Sequence, residues 1–109
     1  PTGLAAYLVA ETIAAAVLRS GQGVIIDAVN AVAPARDQWV LLGERLGVEV
    51  RFVETVCSDR GLHRRRLEER RRDLLHIAEP TWHAVEQSLD EYAPWSGPAE
   101  SRPRLTLDT

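Results

Sequence analysis

An α/β fold with parallel strands flanked by helices is what the apolar pattern of these 109 residues requires. Three observations lead there. Val24-Ile25-Ile26-Asp27-Ala28-Val29-Asn30 is a short β-branched run ending at a carboxylate, as a strand covered on both faces reads. Val48–Val56 alternates Val48, Val50, Phe52 and Val56 with Glu49, Arg51 and Thr55, broken only where Glu54 replaces Val53 in the rhythm. One helix-length segment separates the two. Strand, helix, strand in that length is a βαβ crossover, right-handed almost without exception.

The remaining elements follow in order. Pro1-Thr2-Gly3 opens a helix to about Ser20, with Leu4, Tyr7, Leu8, Ile13 and Val17 near helical spacing and alanines between. Gly21 and Gly23 end it as a left-handed cap would. After the strand Val24–Asp27 and its turn, a second helix covers about Pro34–Leu46. Pro34 sits in its first turn, where a missing N–H costs nothing. Trp39, Leu42 and Leu46 are its buried positions, and Gly47 stops it. Cys57-Ser58-Asp59 caps a third helix from Arg60 to about Leu75. Ala78-Glu79-Pro80 breaks the chain, and Thr81 starts a shorter helix to about Tyr92 carrying Trp82, Val85 and Leu89. Ala93–Pro103 reads as a loop and Leu105–Asp108 as a last short strand.

Composition narrows the function classes. A chain of this size buries roughly two-thirds of its unfolded surface, so one domain or part of one fits. The net charge of −3 argues against a general nucleic-acid binder. The single Cys57 excludes an internal disulfide and suits a reducing, cytoplasmic setting. The apolar start is interrupted by Glu11 and Thr12, so neither a membrane span nor a signal peptide is expected. There is no Met and all 13 basic residues are Arg. The sequence therefore reads as a piece of a longer product, and any step needing a lysine takes it from elsewhere.

Two features carry chemistry. Asp27 stands where open α/β sheets keep their ligand crevice, at the carboxyl end of a strand; capping of the next turn is its other reading. From Arg60 through Asp73, seven Arg face two Glu and one Asp. Arg66 and Arg70 are four apart, so they project from one helix face a turn apart. Guanidinium forks match phosphate oxygens bidentately, and such a pair would clamp a polyphosphate. A solvated helix laced with Glu–Arg pairs is the alternative. No interleaved aromatics point this helix at nucleic acid. His63, His76 and His83 lack metal spacing, with Pro80 between the last two. Trp39, Trp82 and Trp95 read as packing anchors, and no nucleophile motif suggests covalent catalysis.

Taken in order, these segments resemble a known group. The Val24–Asn30 stretch is followed by Arg36 and a Gly47-led strand ending Cys57-Ser58-Asp59. Arg66-x-x-x-Arg70, Glu79-Pro80-Thr81-Trp82 and Leu105-Thr106-Leu107-Asp108-Thr109 complete the series. The sequence is similar to the second half of the AAA-type P-loop kinases related to polynucleotide kinase, gluconate kinase and zeta toxin. That resemblance implies a three-layer P-loop kinase-like fold, here incomplete, spanning residues 1–109 with a lid helix at about 60–75. It implies ATP and Mg²⁺ as cofactors and an unknown phosphate acceptor as partner, with nucleic acid only as a possible substrate.

The same resemblance assigns roles. Asp27 is expected to be catalytic, supporting Mg²⁺ through water or orienting the acceptor. Arg66 and Arg70 match the lid arginines that bind the triphosphate and neutralise charge during transfer. Asn30 and Arg36 match the polar turn and following helix, for acceptor binding or local scaffolding. Asp108 and Thr109 are expected near the base. The group's Gly-x-x-x-x-Gly-Lys-Ser/Thr loop has no counterpart in these residues. Without it and its strand, Val24–Asp27 and Val48–Val56 are expected either to stay apart or to pair directly. The 109 residues alone are expected to be inactive; a non-enzymatic module docking an acidic partner through the Arg-rich helix is the rival reading.

Overall fold

The computed structural model describes residues 2–73 and 81–109. Among them are five helices and two strands. In chain order these are α1 (Thr2–Arg19), α2 (Ala33–Leu46), β1 (Phe52–Val56), α3 (Arg60–Asp73), α4 (Trp82–Glu91), α5 (Gly97–Glu100) and β2 (Arg104–Asp108). They form two compact units, Pro1–Phe52 with Ala93–Pro103, and Val53–Tyr92 with Arg104–Thr109.

The first unit is built on α1 and α2. Ala14 and Ala15 of α1 are buried against Trp39 and Leu42 of α2, with Tyr7, Leu18, Val24, Ile26, Leu46, Val50 and Phe52 around them. Alanines at this contact let two helices approach closely, and Trp39 fills the space that remains. Both helices end as their glycines foretell. Gly21 and Gly47 adopt φ of 88° and 68°. Past each helix two N–H groups turn back onto its last carbonyls, Gly21 to Leu18 and Gln22 to Val17, Gly47 to Glu44 and Val48 to Gly43. The stretch expected to be a loop, Ala93–Pro103, contains α5, which packs on α2 and buries Ala99.

The strands depart from expectation. Val24–Asp27 is not a strand, and the crossover to Val48–Val56 does not form among the described residues. A strand is defined by its ladder, and none of the described residues forms one with this segment. Its burial alternates too: Val24 and Ile26 pack on the core while Ile25 is 95% exposed. The longer strand contracts to Phe52–Val56, the part lying opposite Arg104–Asp108. The pairing is parallel, bracketed by Phe52 N–H to Pro103 O at 2.9 Å and Thr109 N–H to Val56 O at 2.8 Å.

In the second unit the break in the strand rhythm finds its cause. Glu54 turns to the half-buried face and Val53 to solvent. The Glu54 carboxylate accepts from Tyr92 Oη at 2.8 Å and from Thr106 Oγ1 at 3.1 Å, which makes a half-buried acid tolerable. Asp59 is the residue that caps α3, its Oδ1 accepting from Leu62 N at 3.0 Å. Thr81 caps α4 in the same way through Ala84 N at 3.2 Å. The two helices meet where the His63 ring stands edge-on to Trp82, centroids 5.1 Å apart. Leu74, Leu75, His76 and the Ala78-Glu79-Pro80 break lie outside the described residues.

Candidate functional site

Two constellations hold the residues singled out above. In the first unit, the turn after Val24–Asp27 is tied down from beneath. Asn30 takes a left-handed φ of 48°, which Asn tolerates better than most residues. Its N–H donates to Tyr7 Oη at 3.0 Å, and its Oδ1 accepts from Trp39 Nε1 at 2.9 Å. Arg36 is fully buried. Its Nε donates to Asn30 O at 2.7 Å, Nη2 to Ala31 O at 3.4 Å and Nη1 to Pro94 O at 3.1 Å. The guanidinium lies 4.2 Å from the centre of the Trp95 ring. A buried cation is costly unless hydrogen-bonded, and here three carbonyls and an aromatic face replace its water. Asp27 itself is exposed.

The second constellation lies at the carboxyl ends of β1 and β2. Asp108 Oδ1 accepts from Ser58 N at 3.1 Å, and its Oδ2 accepts a short bond from Ser58 Oγ. The Ser58 hydroxyl, then its N–H, hold the Asp108 carboxyl below the usual carboxylate range. Thr109 donates to Val56 O through both its N–H and its hydroxyl, the latter at 3.3 Å. Arg66 reaches across from α3, Nη2 donating to Thr109 O at 2.8 Å and Nη1 lying 3.9 Å from Cys57 Sγ. Arg70 follows one turn along α3 and is exposed.

Asn30 and Arg36 are therefore brought together in one unit, and Arg66, Asp108 and Thr109 in the other. Sequence reasoning missed their partners. Trp39 and Trp95 serve as hydrogen-bond donor and stacking platform for the chain's own Asn30 and Arg36. Ser58 was legible only as part of a helix cap, yet it fixes Asp108. Tyr7 and Tyr92 carried no local signal of their bonding and Glu54 only a break in the strand alternation, since each acts on a residue at least 23 positions away.

Each unit by itself offers a group of the kind that binds a nucleotide and its metal, an exposed carboxylate in the first and exposed guanidiniums in the second. Among the described residues no three His, Cys, Asp or Glu side chains are grouped to hold an ion. Mg²⁺ commonly needs only one or two carboxylates beside phosphate oxygens and water, and exposed Asp27 can supply one. Arg66 and Arg70, exposed on one face of α3, are suited to phosphate oxygens. No helix among the described residues is long and apolar enough to cross a membrane.

No curated protein and no solved structure matches the chain. A family model described as an AAA domain matches residues 2–95. That span takes in the Val24–Asn30 stretch, Arg36 and all of α3. The chain belongs to the AAA-domain family, of the P-loop kinase-like kind.

Proposed function

We propose that these residues are the C-terminal portion of an ATP-binding P-loop kinase domain that transfers a phosphoryl group to a hydroxyl acceptor. The observation that carries the reading is the approach of Arg66 to the carboxyl ends of two parallel strands, beside Asp108 and Thr109. Strand ends are where such folds bind ligands. In this reading α3 is the lid, and Arg66 and Arg70 bind the triphosphate. Asp27 supports Mg²⁺ through water or orients the acceptor. Asn30 and Arg36 scaffold the turn that presents Asp27, a role that their burial and bonding favour over direct acceptor contact. Bound ATP with Mg²⁺ supplies the phosphoryl group and its charge neutralisation. Arg66 would exchange its carbonyl partner for phosphate oxygens, and the Ser58–Asp108 tie would keep the strand ends from shifting.

Binding of ATP–Mg to the protein carrying Arg66→Ala and Arg70→Ala, read by calorimetry, tests this. Hydrogen bonds to charged groups contribute about 1.5–3 kcal/mol each, so the double change should weaken affinity at least about tenfold. Unchanged affinity would remove the lid assignment. A second reading, a non-enzymatic module that docks an acidic partner through α3, draws on the exposed Arg60, Arg64 and Arg65 and on the absence of lysine from these residues. Wild-type protein that folds cooperatively but binds no nucleotide would favour it.

A further inference from the structure

The α3 helix carries more positive charge than one nucleotide can use. Residues 60–73 hold seven Arg against three acids, a surplus of +4 in a chain whose total is −3, so the remaining residues sum to −7. At about 100° per residue, Arg60 and Arg64 lie roughly 120° and 160° round the helix from Arg66. Side chains on opposite sides of a cylinder about 10 Å across do not share a triphosphate. Both arginines are exposed. Arg60 has no ion-pair partner among the described residues, and Arg64 pairs with Glu68 at 3.0 Å, both side chains more than half exposed. Such a pair is readily exchanged.

The matching surface is on the helix packed beside it. α4 bears Glu86, Asp90 and Glu91 and no Arg. Glu86 and Asp90 are exposed and have no ion-pair partner among the described residues. They are four apart, as Arg60 and Arg64 are, so both stripes place charges about 6 Å apart along a helix axis. α4 also buries none of its residues, and Leu89 is 37% exposed.

We propose that the chain self-associates, the Arg60–Arg64 stripe of α3 in one copy lying against the Glu86–Asp90 stripe of α4 in a second copy. The proposal does not depend on the nucleotide reading: Arg66 lies about 120° or more round the helix from both arginines of the stripe, and Arg70, about 80° round from Arg60, is about 15 Å further along the axis.

Sedimentation equilibrium at submillimolar concentration tests it. Self-association should appear in low salt and weaken at least about tenfold as ionic strength rises from roughly 0.05 to 0.5 M. The Arg60→Glu, Arg64→Glu protein and the Glu86→Arg, Asp90→Arg protein should each stay monomeric, while their equimolar mixture should associate. Circular dichroism checks that both reversed proteins fold. If either does not, Arg60→Gln, Arg64→Gln replaces it and should lose association. A monomeric wild type in low salt, association that salt does not weaken, or folded reversed proteins that fail to associate when mixed would each overturn the proposal. ATP binding, measured separately, is expected to be the same in the Arg60, Arg64 variant as in wild type.

Discussion

At the scale of single residues, Arg36 has the most to lose. Its guanidinium satisfies the carbonyls of Asn30, Ala31 and Pro94 and stacks on Trp95. Removing the guanidinium leaves those carbonyls without their donor, at roughly 1–3 kcal/mol for each that stays dry, because the groups left behind keep their desolvation penalty. Arg36→Ala should lower the unfolding free energy by about 3 kcal/mol or more, a large part of a domain's usual stability. Arg36→Lys should recover only a fraction, since an ammonium cannot reproduce the planar fork or its stacking. A lysine variant as stable as wild type in urea titration would show that charge alone, and not the fork, is what the turn requires.

Among the elements, the parallel pair is tied at its carboxyl end by side chains as well as by its ladder. The Ser58–Asp108 bonds hold the Asp108 carboxyl below the usual carboxylate range. A group depressed in the folded state stabilises above its unfolded pKa, and that contribution fades as pH falls through the folded value. The tie is therefore complete at neutral pH and is lost only in acid, below the ordinary Asp range. Ser58→Ala removes the larger of its two bonds to Asp108. Carbon NMR of the Asp108 carboxyl should then show titration displaced upward toward the ordinary Asp value. An unshifted curve in the variant would mean that the hydroxyl contributes nothing to holding the carboxylate.

For the molecule as a whole, the surface of the first unit is the conspicuous feature. Leu4, Leu8, Val9 and Ile13 of α1 are each more than half exposed, and Val29 is 76% exposed. Apolar patches of this kind mark contact surfaces. Leu8→Gln with Ile13→Gln should reduce binding of an apolar fluorescent dye while changing stability by no more than about 0.5 kcal/mol, as surface substitutions do. A stability loss well beyond that would place these side chains in the core. The unpaired Val24–Asp27 segment belongs to the same unit, so its backbone and the α1 patch are both left uncovered by the described residues.

The sequence alone settles what is local: the four longer helices, their glycine and Thr81 caps, Asp59 at the start of α3, and the ordered motifs that mark an AAA domain. These depend on spacing and on conformational preferences that act within one or two turns. It also exposed the arginine surplus of α3, since charge is counted without coordinates. Which extended segments became strands was set by pairing over long range. Val24–Asp27 has the composition of a strand but no ladder partner among the described residues, whereas Phe52–Val56 has Arg104–Asp108 beside it. Long-range contact likewise makes Arg36 a buried clamp, because one of its acceptors, Pro94 O, comes from 58 residues away. Ladders and buried charges are satisfied by distant chain, and no local pattern records which distant residue arrives.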